Sequence, residues 1–144
     1  MVPKQLGAAA VIVDEAGRVL LVKHSYGKLN WELPGGGAEA DESADETALR
    51  EVQEETGLQV IVERLSGIYY DREVDMHHFV FICRRLDQTA APRPDAAEIT
   101  ACEFWAPDAL PRPISDFTIR RIEDALSGTR PLSIVLIPPR SWLD

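Results

Sequence analysis

Long hydrophobic runs are missing from this chain of 144 residues. The longest uninterrupted apolar stretches are Ala8 to Val13 and Ile134 to Pro139, far below the roughly 20 residues of a membrane-spanning helix. The first six residues carry a single lysine, and Asp14 interrupts the apolar stretch that a secretory signal would need. We therefore expect a protein that does not cross a membrane and that stays in the cytoplasm.

Cysteine is also scarce, with Cys83 and Cys102 as the two examples. Both fall in strand-like runs, where lone cysteines of a reducing compartment are usually small core residues. The length predicts one domain over residues 1–144, and a chain of this size buries roughly 68–70% of its unfolded surface. Folding therefore requires no disulfide and no structural metal.

Basic residues are outnumbered, since 24 acids against 15 bases give a net charge of −9. This balance argues against general binding to nucleic acids. The acids are concentrated, because residues 39–55 contain eight acids and one base, Arg50, and so carry −7. The rest of the chain is nearly neutral, which makes the acidic segment the first candidate for a functional site.

A helix is predicted in the middle of that segment, over residues 44–56. Ser43 is followed by Glu46 at the spacing of a capping box, and acidic residues crowd the first turn, where the helix dipole favours them. Gly57 then supplies the left-handed residue that commonly ends a helix.

A second, amphipathic helix is predicted to begin after Ser115 as its N-cap and to end at Gly128. Strand-like runs surround both helices, and the first two are predicted to pair as a hairpin. Glycines 35–37 are predicted to open a loop that ends near Ser43. We expect one α/β sandwich with a mixed sheet. The predicted strands cover residues 8–13, 18–23, 31–33, 59–70, 76–84, 99–106 and 132–137.

Glu51, Glu54 and Glu55 share one face of the first helix, because they stand at spacings of i, i+3 and i+4. Like charges at this spacing destabilise a helix, whereas a Glu–Lys pair would stabilise it by about 0.2–0.5 kcal/mol. A bound cation would turn the repulsion into attraction, and carboxylate oxygens suit Mg²⁺ or Mn²⁺. A solvated acidic face is the ordinary alternative, and the three glutamates alone leave both interpretations open.

The residues around these glutamates form a longer pattern, Gly36-x5-Glu42-x7-Arg50-Glu51-Val52-x-Glu54-Glu55-x-Gly57-Leu58. The pattern resembles, at every defined position, the 23-residue signature of the Nudix hydrolases, in which positions 52 and 58 hold bulky aliphatic residues. With average residue usage, such a match arises by chance in on the order of one in 10⁹ windows. The order of elements also resembles that family's α/β/α sandwich, with a central mixed sheet and a loop-helix-loop catalytic motif.

The resemblance implies hydrolysis of a nucleoside diphosphate linked to a moiety X, which yields a nucleoside monophosphate and phosphate-X. It implies Mg²⁺ or Mn²⁺ held by Glu51, Glu54 and Glu55, with Glu51 and Glu54 also among the catalytic residues. A polyanionic substrate can approach these acids only through cations that bridge carboxylate and phosphate oxygens. Arg50 is expected to belong to the catalytic group by orienting a neighbouring glutamate. Its ordinary alternative is a surface ion pair worth about 0–1 kcal/mol.

Further residues are assigned by the same resemblance. Gly36 and Gly37 are expected to bind substrate, because a backbone without a Cβ can approach the metal-phosphate cluster closely. Glu42 is expected to support the site, either by binding metal through water or by holding the loop. Glu98, before the strand at 99–106, is the candidate general base or further ligand, with a solvated loop acid as the alternative.

Two histidines and several aromatic residues are weaker candidates for substrate contacts. His77 and His78 are adjacent on a predicted strand, so their side chains are expected to point to opposite faces, and one of them could face the substrate. Aromatic residues in strands are usually part of the core, although they could stack on a nucleobase. The aromatic candidates are Tyr69, Tyr70, Phe79 and Trp105.

The substrate is left open by the sequence. Marks of the subgroups that hydrolyse ADP-ribose, dinucleoside polyphosphates or coenzyme A are absent, which leaves a nucleoside triphosphate or oxidised-nucleotide pyrophosphatase as the default. The alternatives are a nucleotide-sensing module that does not hydrolyse, a hydrolase of a nucleotide sugar or dinucleoside polyphosphate, and a purely structural acidic domain. The expected partner is a small molecule that contains a nucleotide diphosphate. A homodimer is also considered, in which the tail at residues 138–144 covers either a partner or its own core.

Overall fold

The computed structural model describes residues 3–128 and 131–144, and within these ranges it contains ten strands and two helices. In chain order, the elements are β1 (Gln5–Ile12), β2 (Val19–His24), β3 (Trp31–Glu32), β4 (Gly35–Gly37), α1 (Ala44–Thr56), β5 (Val60–Asp71), β6 (Met76–Arg85), β7 (Ile99–Trp105), β8 (Ile114–Ser115), α2 (Asp116–Leu126), β9 (Ile134–Ile137) and β10 (Trp142–Leu143).

The strands form two sheets, with the orders β4-β1-β6-β5-β9 and β10-β8-β3-β2-β7. Both sheets are mixed, because β1 pairs with β6 and β5 with β9 in parallel, as does β3 with β8, while the other neighbours are antiparallel. The predicted α/β sandwich with mixed pairing is therefore confirmed, and the pairing is divided between two sheets.

The predicted hairpin of the first two strands is wrong, since β1 and β2 belong to different sheets and meet at the bridge between Val13 and Val19. Between them the Asp14 carboxylate accepts hydrogen bonds from the backbone N–H groups of Ala16 and Arg18, at 3.0 and 2.9 Å, and closes a tight turn. Most residues of both strands are buried. Each strand instead lies between two other strands of its own sheet.

Two apolar clusters separate the layers, and alternate residues of β1 belong to each. Ala8 and Ala10 pack in the cluster that contains Ala48 and Val52 of α1. Ala9 and Val11 pack in the cluster that contains the apolar face of α2, formed by Phe117, Ile122 and Ala125. Because the residues of β1 are small, α1 lies close to the first sheet.

The helix predictions are confirmed, with a correction at one end. In α1 the Ser43 side chain accepts from the Glu46 N–H, the Glu46 side chain accepts from the Ser43 N–H, and Gly57 is left-handed with φ 72°. The second helix ends at Leu126 with Ser127 as its C-cap, two residues before Gly128, which is left-handed with φ 90°. Neither helix is long and apolar enough to cross a membrane.

The predicted loop at glycines 35–37 is in fact strand β4, which pairs antiparallel with β1 from Gly7↔Gly37 to Ala9↔Gly35. A Cβ at Gly35 would lie 2.3 Å from the carbonyl oxygen of Ala8. Gly35 is therefore needed for close pairing with β1. The tail also pairs within its own chain, because β10 runs antiparallel to β8 with Trp142 opposite Ser115.

Candidate active site

The helix α1 places two of its glutamates directly against two glycines of β4. The Glu55 Oε1 accepts a hydrogen bond from the Gly35 N–H at 2.8 Å. The Glu51 carboxylate lies on Gly36 so closely that a Cβ there would be 2.6 Å from the Glu51 Cδ. Two glutamates that are four residues apart in α1 thus contact adjacent glycines of β4.

Burial disfavours the charged form of these two carboxylates. Glu55 is 4% exposed, and desolvation raises its pKa to about 8, against the stabilising hydrogen bond from Gly35 and with added repulsion from Glu51 and Glu98. Desolvation also raises the pKa of Glu51, although Arg50 opposes the shift. The site therefore holds acids in surroundings that favour a nearby positive charge.

Arg50 is the cation that the chain itself supplies. Its Nε and Nη2 donate to the two oxygens of Glu42 at 2.7 and 2.9 Å, and its Nη1 donates to Glu51 at 2.9 Å and Glu54 at 3.2 Å. Its Nη2 also donates to the Gly37 carbonyl at 3.0 Å. Arg50 therefore pairs with a neighbouring glutamate as predicted; it is hydrogen-bonded to three glutamates and also lies 3.7 Å from a fourth, Glu39.

Glu42 has a supporting position rather than one beside the buried acids. The hydrogen bond from Arg50, with those from the Glu39 N–H and the Thr47 hydroxyl, lowers the pKa of Glu42 to about 2. Its carboxylate thus holds the segment before α1 and fixes the guanidinium of Arg50 at the same time.

A ready-made metal site is not formed, because in residues 3–128 and 131–144 no three His, Cys, Asp or Glu side chains are arranged to hold an ion. The Arg50 guanidinium instead lies between Glu51 and Glu54, and the Glu54 side chain is 53% exposed. The chemistry of the donors nevertheless fits a hard divalent cation. Carboxylates outnumber the single guanidinium among them, and the pKa values of the half-buried Glu51 and the buried Glu55 are raised.

Glu98 lies close enough to the site for its charge to raise the pKa of Glu51 and of Glu55. It is exposed, on the loop before β7, and its backbone carbonyl accepts from the Ser25 N–H at 2.8 Å. The structure thus places Glu98 near the acids, and its role as general base stays a prediction.

A hollow of about 590 Å³, lined by residues that include Arg50, Glu54 and Asp95, lies on the outer side of α1.

A second cavity, of about 270 Å³, is lined by Gly35, Gly36 and Gly37. Most of the polar residues that line this cavity could not be predicted from the sequence, because they are far apart in the chain and belong to no motif. The polar side chains that line it are His24, Tyr26, Glu32, His78, Arg121 and Arg140.

The two adjacent histidines point to different surroundings, as predicted. His78 lines the cavity, where desolvation together with the charges of Arg121 and Arg140 lowers its pKa to about 4. His77 lies against Tyr70, with the ring centroids 4.8 Å apart.

The aromatic candidates Tyr69 and Trp105 belong to the core, where they contact Phe117 and Trp31 edge-on. Phe79 packs against the cluster under α1. The aromatic side chain that does line the cavity is Tyr26, which the sequence analysis did not select. It is 56% exposed and stacks on His24 at 4.7 Å.

The sandwich, the capped acidic helix and the glycine strand beside a cavity are the features of a Nudix-type hydrolase domain, and comparison with known proteins agrees. The family model described as the NUDIX domain matches residues 3–125. A MutT-like protein of Streptomyces ambofaciens is 33% identical over 126 residues, which cover 88% of this chain and 79% of the relative. The chain therefore belongs to the Nudix hydrolase family, whose members generally use divalent cations and act on nucleoside diphosphate derivatives.

Two further comparisons extend along most of the chain. A protein of Bacillus subtilis (strain 168), provisionally named an 8-oxo-dGTP diphosphatase, is 30% identical over 131 residues, covering 90% of this chain and 85% of the relative. The crystal structure of a NUDIX hydrolase from Nitrosomonas europaea superposes with a TM-score of 0.79 at 19% identity, covering 95% of this chain and 80% of that one. The last likeness shows the fold alone.

Proposed function

We propose that the chain is a pyrophosphohydrolase that depends on Mg²⁺ or Mn²⁺ and cleaves a nucleoside diphosphate linked to X into a nucleoside monophosphate and phosphate-X. The observation that carries the proposal is the contact of Glu51 and Glu55 with Gly36 and Gly35, at a strand that also lines a cavity. The strand that contacts both carboxylates thus also lines a cavity.

Glu51, Glu54 and Glu55 would hold the cation. When bound, it would neutralise phosphate oxygens and acidify the attacking water. The new bond joins the water oxygen to one phosphorus, the anhydride P–O bond breaks, and the water proton passes to a carboxylate. Glu54, which is exposed, and Glu98, on the facing loop, are the candidates to accept that proton. Arg50 keeps the oxygens of Glu51 and Glu54 within 3.2 Å of one nitrogen and so orients both carboxylates.

The default substrate is a nucleoside triphosphate or an oxidised nucleotide. The names of the MutT-like and 8-oxo-dGTP diphosphatase relatives support this choice.

The test is an assay of the purified chain with a panel of deoxynucleoside triphosphates, oxidised dGTP, ADP-ribose, a nucleotide sugar and a dinucleoside polyphosphate. We expect nucleoside monophosphate to form in Mg²⁺ or Mn²⁺ and not after chelation. Binding of a nucleotide without release of any product would contradict the proposal and indicate a sensing module.

Three further parts of the proposal concern the whole protein. We propose one domain over residues 1–144, which predicts a single cooperative unfolding transition. We also propose a cytoplasmic location and a homodimer, which cell fractionation and light scattering would test.

A further inference from the structure

The tail, residues 138–144, follows the part of the chain that belongs to the family domain, residues 3–125. Arg140 of this tail nevertheless lines the cavity beside β4. Part of the cavity wall is therefore supplied from outside the family domain.

The end of the tail is joined to the start of α2 and to the second sheet. The Ser141 carbonyl accepts from the Asp116 N–H at 2.9 Å, and the Asp116 Oδ1 accepts from the Ser141 N–H at 3.0 Å. Trp142 then pairs with Ser115, where β10 runs antiparallel to β8. These contacts fix the backbone of the tail next to Arg140.

Arg140 itself joins the tail to the first sheet. Its Nη2 lies 3.3 Å from the Oδ2 of Asp71, the last residue of β5, and its Cζ lies 5.1 Å from the centroid of the Phe117 ring. The Asp71 side chain is 6% exposed, and its Oδ1 accepts from the Glu73 N–H at 3.0 Å. Among the residues that the structure describes, Asp71 is not one that lines the cavity. Asp71 therefore acts on the cavity wall through Arg140.

The ion pair leaves part of the Arg140 guanidinium available. In the described part of the chain Asp71 is its one ion-pair partner, and it faces a single nitrogen, Nη2. The Arg140 side chain is 30% exposed, so its other N–H groups are free to donate to an occupant of the cavity. Arg121, by contrast, is 4% exposed and donates through Nε and Nη2 to groups of the protein. Arg140 is thus the arginine of the wall that retains donors for a ligand.

We propose that Arg140 is a substrate-binding residue that donates hydrogen bonds to oxygen atoms of the substrate beyond its diphosphate, and that Asp71 positions it. The proposal rests on the proposed function, because it takes the cavity to receive that part of the substrate. Since Asp71 already restricts the guanidinium, little further ordering is needed on binding. The ordinary alternative, an ion pair that only anchors the tail, predicts a change in stability without a change in ligand affinity.

Calorimetric titration with nucleoside monophosphates tests the proposal without turnover. AMP, GMP, CMP and UMP are compared in a buffer with MgCl₂, and the one that binds the wild type most tightly is used for the variants. We expect Arg140→Gln to weaken its binding at least about fivefold, and Asp71→Asn at least about threefold. Unchanged affinity in Arg140→Gln, or no binding of any monophosphate to the wild type, would overturn the proposal.

A double variant tests whether Asp71 acts through Arg140. Arg140→Gln combined with Asp71→Asn should bind the monophosphate within about twofold of Arg140→Gln alone, because the two residues form one unit. Losses that multiply would overturn the positioning role of Asp71. If Asp71→Asn does not fold, Arg140→Gln alone decides the substrate-binding role. The matched control is Arg84→Gln, which removes the ion pair with Glu63 at 3.6 Å and should keep the wild-type affinity.

Titration with MgCl₂ separates this role from damage to the acids of α1. The affinity of Arg140→Gln for Mg²⁺ should stay within about twofold of the wild type, and a parallel loss would overturn the proposal. In steady-state kinetics the substitution should raise KM more than it lowers kcat, because the contact is made before the transition state. If no substrate is hydrolysed but the monophosphate affinities change as expected, the proposed function fails and this inference stands. Hydrolysis with unchanged KM and affinity in Arg140→Gln would have the opposite meaning.

Discussion

Two regions meet at β4, and they differ in how their charged side chains are paired. On the α1 side, the half-buried Glu51 and the buried Glu55 have raised pKa values, and Arg50 is paired with Glu51. On the cavity side, each arginine has its own carboxylate, since Arg121 pairs with Glu32 at 2.7 Å and Arg140 pairs with an aspartate at 3.3 Å.

The difference distinguishes a candidate cation site from an ion-pair network whose charges are balanced. Around Arg121 the charges are balanced and the hydrogen bonds are made. Around Arg50 carboxylates are in excess, because Glu39, Glu42, Glu51 and Glu54 share one guanidinium. The excess, rather than the number of acids, is what indicates a cation.

Glu55 should show the largest effect, because it is the most buried acid of the helix. Glu55→Gln should lower kcat by at least about 100-fold, since it removes a ligand charge. The same change should raise the free energy of unfolding at pH 7 by about 1–3 kcal/mol, because the amide needs no ionisation and can still accept from the Gly35 N–H. Activity assays and thermal unfolding would measure both.

The pH dependence gives the sign of this effect. The pKa of Glu55 rises from 4.5 to about 8 on folding, so the unfolded chain loses its proton first. The stability of the wild type should therefore fall as the pH rises from 4.5 to 8, and Glu55→Gln should lack this fall.

Glu54→Gln should also lose activity, but with little change in stability, because Glu54 is half-exposed. Full turnover or reduced stability in Glu55→Gln would contradict the account, with Glu63→Gln on β5 as the control.

The three glycines of β4 should respond differently to alanine. Gly35→Ala should cost about 3 kcal/mol or more, because its Cβ would meet backbone atoms of β1. Gly36→Ala should cost less, because its Cβ meets the end of the flexible Glu51 side chain, but displacement of that carboxylate should lower kcat at least about tenfold. Gly37→Ala has open space and should change stability by less than about 0.5 kcal/mol. Equal losses of stability for the three variants, in denaturant unfolding, would contradict this order.

His78 should make the cavity side sensitive to acid. Its pKa falls from 6.5 to about 4 on folding, so the unfolded chain binds a proton first as the pH decreases. Stability should therefore decrease between pH 6.5 and 4, by up to about 3 kcal/mol, and this loss should be absent in His78→Gln. His77→Gln, at the neighbouring position, is the matched control. Identical pH profiles for the wild type and His78→Gln would show that the cavity is more solvated than described.

The cysteines should show the smallest effect. Burial raises the pKa of both Cys83 and Cys102 to about 12, so few thiolates exist at pH 8. Native protein should react with iodoacetamide at least about tenfold more slowly than unfolded protein. Rapid labelling of Cys102, whose thiol contacts the carbonyl of Glu55, would reveal opening beneath α1.

The acidic helix could be predicted from the sequence because its determinants are local. The capping box at Ser43, the left-handed Gly57 and the spacing of the glutamates act within a few residues of one another. Arg50 could be assigned a glutamate partner for the same reason.

The cavity could not be predicted, because its polar residues come from β2 and the loop after it, β3, β6, α2 and the tail, and meet only after folding. The partner of Arg121 is Glu32, 89 positions away in the chain. The prediction of a hairpin failed for a similar reason, since β1 pairs with β4 and β6 and β2 pairs with β7, all of which lie farther along the chain. The role of the glycines could be predicted only in part. The close approach of their backbone to the site was expected, whereas their pairing with β1 depends on tertiary context.

The central claim is that the acids of α1 bind a hard divalent cation. The most direct measurement is a calorimetric titration of the purified protein with MgCl₂ at pH 7.5, repeated with Glu55→Gln and with Glu63→Gln. We expect saturable binding to the wild type and to Glu63→Gln, and binding at least about tenfold weaker in Glu55→Gln. The same affinity in all three proteins, or no binding to any of them, would contradict the account.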